Sequence, residues 1–350
     1  MFDLRPVVYV IGLVVAVLGV TMLLPMMVDL FFGRPDWTVF LQSAIITVTF
    51  GAAMSIATAN GVGGGLSVQQ TFLLTTLIWV ALPLFGALPF IFGEIQARPV
   101  DAIFEAMSGL TTTGSTVFSG LDAMPEGLLV WRSMLQWFGG IGIIVVAMVF
   151  LPELRVGGMQ IFRSEAFDTM GKVLPRAAEI AGRITWIYLA LTILNVLAYL
   201  LVGMTPFDAI NHAFTTMSTG GFSTHDASFG VYQGAPEYVA AVFMILASLP
   251  FVRYIQLVAG TAQPLFRDSQ IRAYLGTILV ITLVMTIYRL VANGDHFEHG
   301  FREGVFNVTS IMSGTGYASV DYQLWGTFPI VAFFFLGLIG GCAGSTACSV

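Results

Sequence analysis

Three polar, glycine-bearing stretches interrupt a chain that is otherwise apolar almost throughout: "GLTTTGSTVF" (Gly109 to Phe118), "TTMSTGGFST" (Thr215 to Thr224) and "IMSGTGYASV" (Ile311 to Val320). Each contains a tetrad: Thr111, Thr112, Thr113 and Gly114; then Ser218, Thr219, Gly220 and Gly221; then Ser313, Gly314, Thr315 and Gly316. Glycine admits backbone angles that other residues avoid, so it lets successive carbonyls turn toward one axis instead of bonding within a helix. Rings of such carbonyls replace the hydration shell of an alkali cation, which is the basis of potassium selectivity. The residue types fit a dehydrating filter, and these twelve positions are the expected ion-binding residues.

Other chemistry is poorly provided for. Ser345 in "GCAGST" would need a base within hydrogen-bond reach to act as a nucleophile. His212, His225, His296 and His299 are all expected at or beyond the outer interface, whereas Ser345 belongs to the cytoplasmic half. The histidines have no metal-ligand spacing with other donors. Cys342 and Cys348, six residues apart in an apolar segment, form neither a disulfide framework nor a ligand set. The chain is therefore not expected to be an enzyme, to bind a cofactor or to bind nucleic acid.

The elements that must position the tetrads share one frame. An acidic residue stands 13 positions before a glycine in each: Asp101 before Gly114, Asp208 before Gly221, Glu303 before Gly316. The intervening residues read as a half-helix of about ten residues, roughly 15 Å long, which enters a bilayer without crossing it. Asp101, Asp208 and Glu303 are expected as its N-terminal caps, Glu303 being the poorest. The helix C-terminus then points its partial negative charge toward mid-membrane, where it favours a cation.

Composition supplies the solvent for this arrangement. With 350 residues, 57% hydrophobic and 10% charged, and a mean hydropathy of +0.87, the chain is expected to be an all-α integral membrane protein. Apolar windows predict spans at 6–30, 38–59, 70–92, 127–150, 183–203, 236–260, 273–292 and 328–348. The three polar stretches fall between spans three and four, five and six, and seven and eight. Basic residues such as Arg155, Arg163, Lys172, Arg176 and Arg183 gather on one side, placing it and the N-terminus in the cytoplasm. The opposite side is acidic and would concentrate cations at the mouths of the three stretches. The expected organisation is two N-terminal spans (1–62), a first pore repeat (63–152), an amphipathic cytoplasmic connector (153–182), a second repeat (183–262) and a third (263–350). The connector could dock a soluble partner.

With "TTTGST", "MSTGGFST" and "SGTGY" following such half-helices, the chain resembles the Trk/Ktr/HKT superfamily of potassium transporters, and within it the TrkH type, over essentially its whole length. The resemblance implies one filter glycine per repeat, at Gly114, Gly221 and Gly316, in a fold like fused subunits of a simple potassium channel. It also implies a homodimer in a bacterial inner membrane and a cytoplasmic nucleotide-binding regulatory subunit like TrkA. The family pattern has four repeats, and the fourth is absent from this sequence, which reads as part of a longer chain. The stretch "LIGGCAGSTACSV" is similar to the family's intramembrane gate, assigning that role to Gly340, Gly341, Gly344, Ser345 and Thr346; Cys348 and Ser349 stand where the family has further glycines. The expected function is selective potassium uptake through a gated pore, with a sodium- or proton-coupled secondary cation transporter as the alternative.

Overall fold

The computed structural model describes residues 3–61, 66–145 and 174–348. Among them the regular elements are all helical, and several are long and apolar enough to cross a bilayer. The connector expected at 153–182 lies outside the described residues up to position 173. The chain forms two compact units, Met1–Leu110 with Ser115–Leu135, and Thr111–Gly114 with Gln136–Val350.

In the first unit, α1 (Arg5–Thr21) and α2 (Leu23–Phe32) make one 28-residue span. It packs against α3 (Trp37–Thr58) through glycines. A Cβ at Gly12 would lie 2.7 Å from the Gly51 carbonyl oxygen, and one at Gly51 would lie 2.6 Å from that of Gly12. Without an aqueous driving force between helices, such close backbone approach is how membrane helices gain contact energy. α4 (Val68–Gly86) starts in a capping box, with Gln70 N–H donating to Ser67 Oγ and Ser67 N–H to Gln70 Oε1. It continues into α5 (Leu88–Phe92), the two giving a 24-residue span from Gln69 to Phe92. α6 (Pro99–Leu110) is the first half-helix, and α7 (Glu126–Val145) follows the first polar stretch. The buried Asp29 Oδ1 accepts from Gly127 N–H at 2.6 Å, satisfying an orphan donor in the first turn of α7.

The second unit holds α8 (Leu174–Leu201), α9 (Pro206–Met217), α10 (Ala235–Ala247), α11 (Phe251–Val258), α12 (Gln263–Arg267), α13 (Ser269–Ala292), α14 (Phe297–Ser313) and α15 (Thr327–Ile339). α8 and α13 supply further spans. Two expectations need correction. The span predicted at 236–260 is broken between α10 and α11 with a bend of 88°. Pro250 has no N–H to continue the ladder, and a proline disfavours the α region at the residue before it. The span predicted at 328–348 is helical only to Ile339, because Gly340 adopts φ +74° and the chain leaves the helix there.

Candidate ion-conducting site

Two of the three half-helices start where proline allows it. Pro99 opens α6 and Pro206 opens α9, and a missing N–H costs nothing at the first helical position. This moves the acids inward and overturns the expected caps. Asp101 is the third residue of α6, paired with the Arg98 side chain at 2.7 Å. That hydrogen bond holds its half-buried carboxyl below the ordinary range. Thr205, not Asp208, caps α9: its Oγ1 accepts from Asp208 N–H at 3.1 Å and donates to Asp208 Oδ2 at 2.7 Å. Glu303 sits in the middle of α14, which runs 17 residues from Phe297, and pairs with Arg289 and with His299, the latter at 3.1 Å.

Beyond the helices the three tetrads share a backbone signature. Thr112 and Gly114 have φ +54° and +78°, Thr219 and Gly221 +50° and +75°, and Gly314 and Gly316 +73° and +78°. Two left-handed residues thus flank one of ordinary φ in every repeat, an alternation that turns successive carbonyls to one side. Threonine is strained in that region. Such strain persists only where surroundings over-determine it, typically at functional sites.

The three strands meet within the second unit. A Cβ at Gly114 would overlap the carbonyl oxygen of Gly220, and one at Gly221 would overlap that of Thr315. Each of these two glycines therefore faces the residue before the glycine of the next repeat, a head-to-tail order. Gly220 is buried, whereas Thr113 and Gly316 are exposed. The second strand is enclosed on both flanks while the first and third each keep an open one.

Residues that the sequence did not single out hold these strands. Gln136, fully buried on α7, donates through Nε2 to Gly220 O at 2.7 Å and accepts from Phe222 N–H at 3.0 Å. Tyr317, next after Gly316, reaches into the second repeat, where its hydroxyl bonds Thr215 Oγ1, Thr216 Oγ1 (3.3 Å) and the His212 carbonyl (3.2 Å). Ser108 Oγ donates to Ser115 O at 2.6 Å and Ser310 Oγ to Tyr317 O at 2.7 Å, the same step in two repeats. The hydroxyls at 108, 215 and 310 stand six residues before Gly114, Gly221 and Gly316, a signal present in the sequence and readable once the strands are superposed.

The glycine-rich loop after α15 is tied to the break in the sixth span. Cys342 N–H donates to Ser248 O at 3.1 Å, Thr346 Oγ1 to Ala247 O at 3.0 Å, and Phe251 N–H to Gly344 O at 3.0 Å. Within the loop, Gly341 N–H bonds Cys348 O at 2.6 Å and Ser345 Oγ donates to Cys342 O at 2.6 Å. Gly340 and Gly344 are left-handed. A Cβ at Gly314 would lie 3.1 Å from Cys348 Sγ, so the loop's far end abuts the third tetrad.

Residues 37–350 match the family model TrkH, described as a cation transport protein. The chain is 40% identical over 344 residues to the Trk system potassium uptake protein TrkI of Halomonas elongata, covering 98% of this chain and 70% of that relative. It is 37% identical over 352 residues to the Trk system potassium uptake protein TrkH of Vibrio parahaemolyticus, covering 98% and 72%. The crystal structure of the potassium transporter TrkH from Vibrio parahaemolyticus superposes with a TM-score of 0.89 at 34% identity, over 99% of this chain and 72% of that one. This multi-pass membrane chain, a transport protein rather than an enzyme, belongs to the TrkH cation transport family.

Proposed function

We propose that the chain is the pore-forming membrane subunit of a bacterial potassium uptake system. The observation that carries this reading is the repeated pair of left-handed residues, 112/114, 219/221 and 314/316, on strands that meet head to tail. Such strands present backbone oxygens at fixed spacing, the means by which a pore strips and selects a potassium ion. The relatives' names as potassium uptake proteins agree with it.

The pore lies in the inner membrane with the N-terminus in the cytoplasm. Potassium moves inward, driven by the membrane potential at about 2.3 kcal/mol per charge per 100 mV. The loop from Gly340 to Thr346 closes the pathway below the filter, and its tethers to Ala247, Ser248 and Phe251 hold the closed form. The protein works as a homodimer, and a cytoplasmic nucleotide-binding subunit like TrkA acts on the loop from the face that carries the connector. The test is rubidium uptake into proteoliposomes with sodium as competitor. Replacing Gly221 by Ser should relax rubidium-over-sodium selectivity; a variant that still transports with unaltered selectivity removes the filter assignment.

A further inference from the structure

The strain in the tetrads raises the question of what holds them. Nine residues before each filter glycine, on the preceding half-helix, stands a buried polar side chain of a different kind: Glu105 before Gly114, His212 before Gly221 and Asn307 before Gly316. Each reaches the strand that leaves the filter. Glu105 accepts from Thr116 Oγ1 at 2.7 Å and from Val117 N–H at 3.1 Å. His212 Nε2 bonds Ser223 Oγ at 3.0 Å. Asn307 Nδ2 donates to Ser319 Oγ at 3.0 Å, and its Oδ1 accepts from Ser319 N–H at 3.4 Å. The partner lies two or three residues past the filter glycine in every repeat. The half-helix and the outgoing strand are thus pinned together, and the filter is the segment between the pins.

A buried polar group is costly unless it is paired, so filling a gap between helix and strand calls for an apolar residue. A polar group at the same place in three repeats, each bonded to the same part of the strand, points to positioning. The first brace differs from the others in charge. Arg132 on α7 donates through Nε to Glu105 Oε1 at 2.8 Å and through Nη2 to Thr116 Oγ1 at 3.2 Å, so the carboxylate, the guanidinium and the strand hydroxyl form one closed set. Glu105 and Arg132 are 0% and 1% exposed, and at that burial a pair cannot lose one member cheaply.

We infer that Glu105, His212 and Asn307 are positioning residues for ion selection, one per repeat, and that the charge-clamped brace of the first repeat contributes most. This rests on the filter reading. A brace that merely supported the fold would alter yield and melting temperature; one that positions the filter alters which ion passes.

The experiment uses the full chain in proteoliposomes and reads the ratio of rubidium to sodium uptake. Glu105→Gln keeps the shape and removes the charge, with an amide now opposing the Val117 N–H. Thr116→Val removes the strand hydroxyl from the brace, leaving the Val117 N–H bond, at an exposed residue. Each should lower the ratio about tenfold, the scale of one charge-assisted hydrogen bond. The double variant should be no worse than Glu105→Gln alone, because both changes break one set of contacts. Ser223→Ala and Ser319→Ala should lower the ratio less. Unchanged ratios in Glu105→Gln and Thr116→Val, or losses that add independently in the double variant, overturn the proposal. Should Glu105→Gln fail to fold, Thr116→Val and the two serine variants decide alone, and unchanged ratios in all three overturn it. Gly221→Ser runs alongside: if it too leaves the ratio unchanged, the filter reading itself has failed; if it alone lowers the ratio, only the brace has.

Discussion

Gly221→Ser, compared with Gly314→Ala, separates crowding from backbone strain. Both glycines are left-handed, at φ +75° and +73°, so any side chain costs about 1–2 kcal/mol at either position. What differs is the space. At Gly314 the new Cβ meets Cys348 Sγ at 3.1 Å, a contact that a slight shift relieves, and the equivalent places in the other repeats already carry Thr112 and Thr219. At Gly221 the Cβ overlaps the Thr315 carbonyl oxygen, far inside the 3.0 Å that real Cβ atoms respect. That carbonyl must withdraw by on the order of 1 Å, since repulsion rises steeply inside van der Waals contact. The movement exceeds the difference in radius between potassium and sodium. Losing one such oxygen from the ion's shell, if worth about 1.5–3 kcal/mol as for a hydrogen bond to a charged group, lowers discrimination roughly 10- to 150-fold. Rubidium uptake in proteoliposomes under graded sodium competition measures it. Gly221→Ser should lose selectivity and Gly314→Ala should keep it within a few-fold. Equal losses in the two would show that strain alone governs, and the argument from carbonyl displacement would be wrong.

Three further outcomes are expected. Tyr317→Phe removes the hydroxyl that stitches the third strand to Thr215, Thr216 and His212; it should cost about 1–3 kcal/mol, seen as a lower melting temperature in detergent, and an unshifted melt would contradict the stitch. Thr346→Val deletes the Oγ1 bond to Ala247 O while keeping the side chain's shape; basal rubidium uptake should rise severalfold, since a loop hydrogen bond of about 0.5–1.5 kcal/mol biases the closed form, and a wild-type rate would detach this tether from gating. Arg302 joins α14 to Glu237 on α10 and to Glu298 on its own helix, bonding Glu298 at 3.1 Å. Arg302→Met strands the buried Glu237 carboxylate and should destabilise the protein by about 3–5 kcal/mol, whereas Glu237→Gln with Arg302→Met should recover part of that loss in the same thermal melt.

Sequence alone determined the class of the protein and the location of its three irregular strands. A membrane imposes helices of a set length and apolarity, so α1 to α4, α8 and α13 could be read from composition. Glycine and hydroxyl residues in one frame mark an irregular backbone locally, so the tetrads at 111–114, 218–221 and 313–316 needed no tertiary knowledge, and their shared left-handed pairs coincide with those positions. The finer local geometry was misread where a neighbour overruled a propensity: proline at 99 and 206 advanced the helix starts and displaced Asp101 and Asp208 from the caps, and Pro250 broke a span that hydropathy had left whole. Only the tertiary structure decided what ties these strands to their half-helices. Glu105, His212 and Asn307 share no chemistry by which they could be aligned, and their partners lie across a turn whose path depends on packing. Gln136 and Tyr317 act on another repeat, the one on its strand and the other on its half-helix, 84 and 102 residues away along the chain. Local sequence encodes backbone freedom and lipid compatibility; the contacts that put that freedom to use are long-range, and they exist only once the repeats have come together.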